Sequence, residues 1–113
     1  MSDAVELIDK GIELFNQENY YDAMTNFNKV YNMTGNIHAL LLSAKSSFQL
    51  SLVYLKVNDF NNFKTFSDNA ISKYDLCVRY SDSSQVKQQA AEKIQEIQQL
   101  HREIDELRKR FNR

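Results

Sequence analysis

The sequence predicts an all-α chain of five helices. The first four fold as two antiparallel hairpins, and the fifth is a long C-terminal capping helix. Three observations carry this. The 113 residues contain no proline and only two glycines, Gly11 and Gly35, whereas an all-β fold needs many turns that recruit both. Apolar residues recur at steps of three and four, the period of a helix face. Four polar breaks, "NQEN", "NMTGN", "VND" and "SDSS", separate those stretches. With 42% hydrophobic and 26% charged residues, a chain of this length forms a single domain, residues 1–113, with its own core.

The first helix is expected from about Asp3 to Asn16, with Asp3 as N-cap and Glu6 as its capping-box partner. Leu7, Gly11 and Leu14 form one stripe, and Ile8, Ile12 and Phe15 a second beside it. The second helix, about Tyr20 to Met33, buries Tyr20, Ala23, Met24, Phe27, Val30 and Tyr31. Gly35 suits the left-handed position that ends it. Asn36 suits the next N-cap. The third helix, about Ile37 to Val57, is apolar nearly all round and therefore central. Asn58 takes the next turn and Asp59 caps the fourth helix, about Phe60 to Tyr80. Its buried stripe is Phe60, Phe63, Phe66, Ala70, Ile71, Tyr74, Cys77 and Val78. Ser83 or Ser84 caps the fifth helix, which runs to about Phe111 on a stripe of Val86, Ala90, Ile94, Ile97, Leu100, Ile104, Leu107 and Phe111. A heptad-like, coiled-coil rhythm holds only from Ile97 onward. Arg102–Glu106, Asp105–Lys109 and Glu106–Arg110 are four apart and are expected to pair on its outer face.

The chain also repeats itself at an offset of 40 residues. Gly11 then meets Ser51, Leu14 meets Tyr54, Tyr20 meets Phe60, Ala23 meets Phe63 and Val30 meets Ala70. In each unit a small residue lets another backbone approach, and an aromatic fills the wedge at the turn. Leu7, Gly11, Leu14, Tyr20, Ala23 and Phe27, then Leu50, Ser51, Tyr54, Phe60 and Ala70, resemble the tetratricopeptide repeat (TPR). The likeness covers roughly residues 4–80, as hairpins 4–33 and 37–80, with 84–111 as the added helix. It departs from the family in its spacing, which is usually near 34, in lacking the closing proline, and in placing the bulky Phe63 where a small residue is preferred.

The resemblance implies a non-catalytic protein–protein interaction scaffold or adaptor, with a groove lined by the first helix of each repeat. Those positions are Val5, Ile8, Ile12 and Phe15 in one unit and Phe48, Leu52 and Leu55 in the other. Some members grip a C-terminal carboxylate, but the matching positions are Ile8 and Ile12, which cannot donate hydrogen bonds. An apolar groove suited to a partner's amphipathic helix is expected instead. The sequence leaves open whether the fifth helix covers it.

The alternative is a structural homodimer that buries apolar faces by self-association through Ile97, Ile104, Leu107 and Phe111. The fifth helix outruns the fourth, so its last third is expected to lack a partner in the hairpin. A third reading, nucleic-acid binding through "LRKRFNR", is disfavoured. Residues 1–60 carry seven acidic and four basic groups and residues 61–113 eight and ten, so the basic excess is small.

No enzyme chemistry is indicated, and no cofactor or metal is expected. His38 and His101 lack second ligands at helical spacing and read as solvated. Asp68, Asp75 and Asp82 read as an outward face. Cys77 reads as a small buried hydrophobe. No phosphate loop or nucleophile elbow is present. The acidic "MSDAVELIDKG" start does not read as a signal peptide, and the longest apolar run, "ALLL", is far too short to span a bilayer. A cytoplasmic protein is expected, in which the "NMT" sequon at Asn32 arises by chance.

Overall fold

The computed structural model describes residues 2–111. They form α1 (Ser2–Asn16), α2 (Tyr20–Thr34), α3 (Ile37–Lys56), α4 (Phe60–Tyr80) and α5 (Ser84–Phe111), with no strand among the described residues. Each helix packs on the next. Because only two or three residues connect them, neighbours run antiparallel, so α1, α3 and α5 are mutually parallel. Phe15, Phe48 and Lys93, one from each of these three, line a common cavity. On the other side, Tyr21 of α2 meets Phe66 of α4 edge-on at 6.4 Å between centroids. The molecule is thus a two-layer slab, α1/α3/α5 over α2/α4, measuring 56 × 29 × 18 Å.

Local chemistry explains the breaks. Gly35 takes φ 69°, where a side chain would be strained, and its N–H closes on the Tyr31 carbonyl. The Asn36 side chain accepts from the His38 and Ala39 N–H groups, and Ser83 Oγ accepts from Val86 N–H at 3.2 Å. Asp3 is no cap: it lies inside the first turn of α1, which already includes Ser2. There its carboxylate meets the positive end of the helix dipole instead.

The turns at the ends of α1 and α3 are one structure repeated 40 residues apart. Glu18 and Asn58 both take positive φ, 62° and 61°. Glu18 N–H donates to Phe15 O and Asn19 N–H to Leu14 O. Asn58 N–H donates likewise to Leu55 O, and Asp59 N–H to Tyr54 O. This six-to-one and five-to-two pairing is the Schellman arrangement that satisfies the last carbonyls of a helix. At these two turns the backbone repeats at the 40-residue offset found in the sequence.

Packing within the two hairpins differs. Gly11 lies directly under the Phe27 ring. At the equivalent points of the second hairpin, Ser51 and Ser67 are both fully buried. They belong to a set the periodicity did not find: Ser43, Ser46, Ser47 and Ser51 of α3 are all at 0% exposure. Ser46 donates to Leu42 O and Ser51 to Phe48 O within α3, while Ser47 reaches Phe66 O and Asn69 Oδ1 on α4 and Ser43 reaches Asn28 Oδ1 on α2. Small hydrogen-bonded residues let α2 and α4 close on α3 from both sides. The main core lies between α3, α4 and α5, around Phe48, Tyr74, Cys77 and Ile97.

Five expectations are corrected. Tyr20 is only half-buried, since it packs edge-on against Phe15 at the slab rim. Arg102 does not reach Glu106, because Gln99, one turn back, accepts from its guanidinium at 2.7 Å. Asp105–Lys109 and Glu106–Arg110 also form no ion pair among the described residues, in keeping with the small gain such exposed pairs offer. His101 is not solvated: its Nε2 lies 2.6 Å from Ser67 Oγ, and its ring stands at 84° to the Phe63 ring, 5.6 Å between centroids.

Burial, with Lys64 nearby, lowers the His101 pKa below its ordinary 6.5, against the opposing pull of Asp68 and Asp105. The neutral ring is therefore the form that packs. Its contribution to folding is complete above the unfolded-state value and is lost as pH falls through and below it. Acidification from about pH 7.5 to 5.5 should lower the melting temperature of the parent more than that of His101→Gln. Equal slopes in the two proteins would remove His101 from this role.

Candidate functional site

The face made by α1, α3 and α5 carries a line of concavities. At the end where α1 stops, Phe15, Lys45, Phe48, Gln49, Gln89 and Lys93 surround a cavity of about 280 Å³ with Tyr74 at its floor. Lys93 Nζ lies 5.9 Å from the Phe48 ring centroid and 3.1 Å from Glu96. Further along, Phe48, Leu52 and Leu100 line about 530 Å³, flanked by Lys93, Glu96 and Glu103. Last come Leu55, Phe60, Leu100, Ile104, Leu107 and Phe111, around about 620 Å³, with Glu103 and Arg108 at the rim. Helix α5 borders this line and leaves it uncovered.

Of the groove residues expected from sequence, Phe15, Phe48, Leu52 and Leu55 line these concavities. Phe48 is mostly core, 6% exposed, and offers little of its ring. Ile8 is half-buried and Ile12 is 42% exposed, further back on α1 and outside the concavities. Lys45, Lys93 and Tyr74 were not expected. Lys45 sits three residues before Phe48, a spacing that could have placed it on the same face. Tyr74 and Lys93 needed the tertiary arrangement.

Tyr74 is fully buried, and its hydroxyl has no hydrogen-bond partner among the described residues. Burial, then the Cys77 thiol and Glu96, push its pKa far up, so it stays a neutral phenol. Cys77 is itself fully buried, and burial raises its thiol to about 11, the opposite of what a nucleophile needs.

One pair has the look of chemistry. Lys73 Nζ donates to Ser43 Oγ at 2.7 Å, and burial lowers its pKa to about 8. Yet Ser43 has no exposed surface, and its own hydroxyl donates to Asn28 Oδ1. No substrate atom can reach it. The contact ties α2, α3 and α4 together.

The self-association residues divide. Ile97 is fully buried and Ile104 is 9% exposed, because the stripe of α5 packs on α4. Ile97 is spent inside the chain, and Ile104 shows only an edge, to the third concavity. Nor does the last third of α5 lack a partner. Ser67 meets His101, and the Arg108 guanidinium stacks over Phe60, the first residue of α4, at 4.5 Å. Only the final turn overhangs, leaving Leu107 50% and Phe111 80% exposed.

Among the described residues no group of three or more His, Cys, Asp or Glu could hold a metal ion, and no helix is long and apolar enough to cross a membrane. No protein-family model matches the chain, and neither a curated protein nor a solved structure matches it.

Proposed function

We propose that this protein is a TPR-like interaction module, a scaffold whose α1/α3/α5 face takes an amphipathic helix from a partner protein. The observation that carries the reading is the repetition of one helical hairpin turn 40 residues apart, which sets parallel first helices side by side around the apolar line Phe15, Leu52, Leu55 and Leu100. Charge at the rim gives such a helix an orientation. Lys45 and Lys93 lie near the α1 end, and Glu96 and Glu103 lie further along. Opposed charges on a partner select direction and register more than they add affinity.

The test is affinity purification from the native host with the parent and with Leu52→Asp. Leu52 is half-buried at the groove floor, so a buried charge there should weaken a docked helix by roughly tenfold or more. Tyr80→Asp, on a residue 63% exposed at the far end of α4, is the control. A partner retained by the control and lost by Leu52→Asp supports the groove. A partner indifferent to Leu52→Asp binds elsewhere.

A further inference from the structure

The first cavity on the α1/α3/α5 face differs in chemistry from the two beyond it. Its lining holds two ammonium groups, Lys45 and Lys93, two amides, Gln49 and Gln89, and no acid. Acid borders the other two, as Glu96 and Glu103 in the second and Glu103 in the third. Lys93 is held by Glu96, 3.1 Å away and outside the first lining. Glu92 lies in a neighbouring hollow with His38 and accepts from Gln88. Lys45 forms no ion pair with a described residue. One positive charge at this cavity is therefore uncompensated.

The floor adds a donor. The Tyr74 hydroxyl is buried and has no hydrogen-bond partner among the described residues, a costly state that native proteins rarely keep. Burial holds it as a neutral phenol with a proton to give. Its titration also feels Glu96, the partner of Lys93, so the hydroxyl end lies on the α5 side, toward the cavity. What covers it there is pliable. Lys45, Gln49, Gln89 and Lys93 are long and at least partly exposed, and such side chains turn within picoseconds to nanoseconds.

A phenol O–H, a lone ammonium group and amide N–H donors together suit an anion. A neutral carbonyl would leave Lys45 uncompensated. A phosphate brings about two negative charges, against one free positive charge here. A carboxylate brings one, and has lone pairs for several donors.

We propose, resting on the groove reading above, that the partner helix carries an acidic side chain whose carboxylate enters the first cavity, accepts from the Tyr74 hydroxyl and pairs with Lys45. Further along the groove Glu96 and Glu103 repel it, so this one residue fixes the direction in which the helix lies.

The experiment selects binders from a displayed library of amphipathic helices with a fixed apolar stripe and randomised polar positions. The parent should enrich helices that share an Asp or Glu at one position near one end, and Leu52→Asp should not retain them. One enriched helix is then synthesised with its acid and with the matching amide. The amide should bind the parent roughly tenfold or more weakly. On Tyr74→Phe and on Lys45→Gln the same exchange should cost about threefold or less, because the group it addresses is gone. Melting curves confirm that both variants are folded. Helices that need Leu52 but share no acid overturn this proposal and leave the groove standing. So does an amide exchange that costs as much on either variant as on the parent. A library that yields no Leu52-dependent helix overturns both.

Discussion

Tyr74→Ala is expected to lose about 3–5 kcal/mol of folding stability, while Tyr74→Phe loses none and gains up to about 1 kcal/mol. Tyr74 is the largest fully buried side chain and belongs to the core that joins α3, α4 and α5. Truncating it leaves a ring-sized void beneath Phe48 and Cys77. A domain of this size has only about 5–15 kcal/mol in total, so Tyr74→Ala should be partly unfolded near body temperature. The hydroxyl is a separate matter. With no partner among the described residues, it contributes desolvation cost and no hydrogen bond. Urea melts of the three proteins separate the two contributions. Should Tyr74→Phe melt well below the parent, the hydroxyl makes a stabilising contact through the cavity above it.

Turn chemistry was the most legible part of the fold because it is local. Asn36, Asp59 and Ser83 cap as their side chains dictate. Gly35 and Asn58 stand where left-handed backbone is required. The 40-residue register was legible for the same reason: both copies of the turn are made by short-range hydrogen bonds. The α3 serines were not legible. A hydroxyl reads as polar in any periodicity count, yet it can be buried at little cost by bonding a carbonyl one turn back, as Ser46 and Ser51 do, or a group on a neighbouring helix, as Ser43 and Ser47 do. His101 was misread although a signal existed: it stands four residues after Ile97 and three before Ile104, on the buried stripe itself.

The candidate site was half legible. Apolar spacing identified Phe15, Phe48, Leu52 and Leu55, because one stripe of a helix tends to face one way. It could not say how deeply each residue sinks. Phe48 is shared between core and groove because α5 closes over its flank through Lys93. Nor could spacing decide between Ile97 and Leu107, which occupy the same stripe of α5. What separates them is where α4 begins: the stripe is covered as far as Phe60 reaches, and bare beyond it.

Gly11 is expected to accept no side chain. A Cβ built there would lie 2.6 Å from Phe27 Cε1 and 2.8 Å from Cζ. Phe27 is 1% exposed and wedged beside Ala23 and Val30, so its ring cannot swing clear. In a free helix, Gly→Ala would gain up to about 1 kcal/mol. Here the overlap reverses the sign, because α1 must lift away from α2 to admit even a methyl group. Gly11→Ala should therefore melt below the parent. Gly11→Leu should melt lower still, by about 1–3 kcal/mol through overpacking. Shortening the opposing ring tests the cause. Phe27→Leu alone loses packing, but in the double variant with Gly11→Ala it makes room, so the combined loss should fall short of the summed losses by about 0.5–3 kcal/mol. Additive losses would mean that the two residues do not meet, and a Gly11→Ala protein that melts above the parent would place the close approach of α1 and α2 elsewhere.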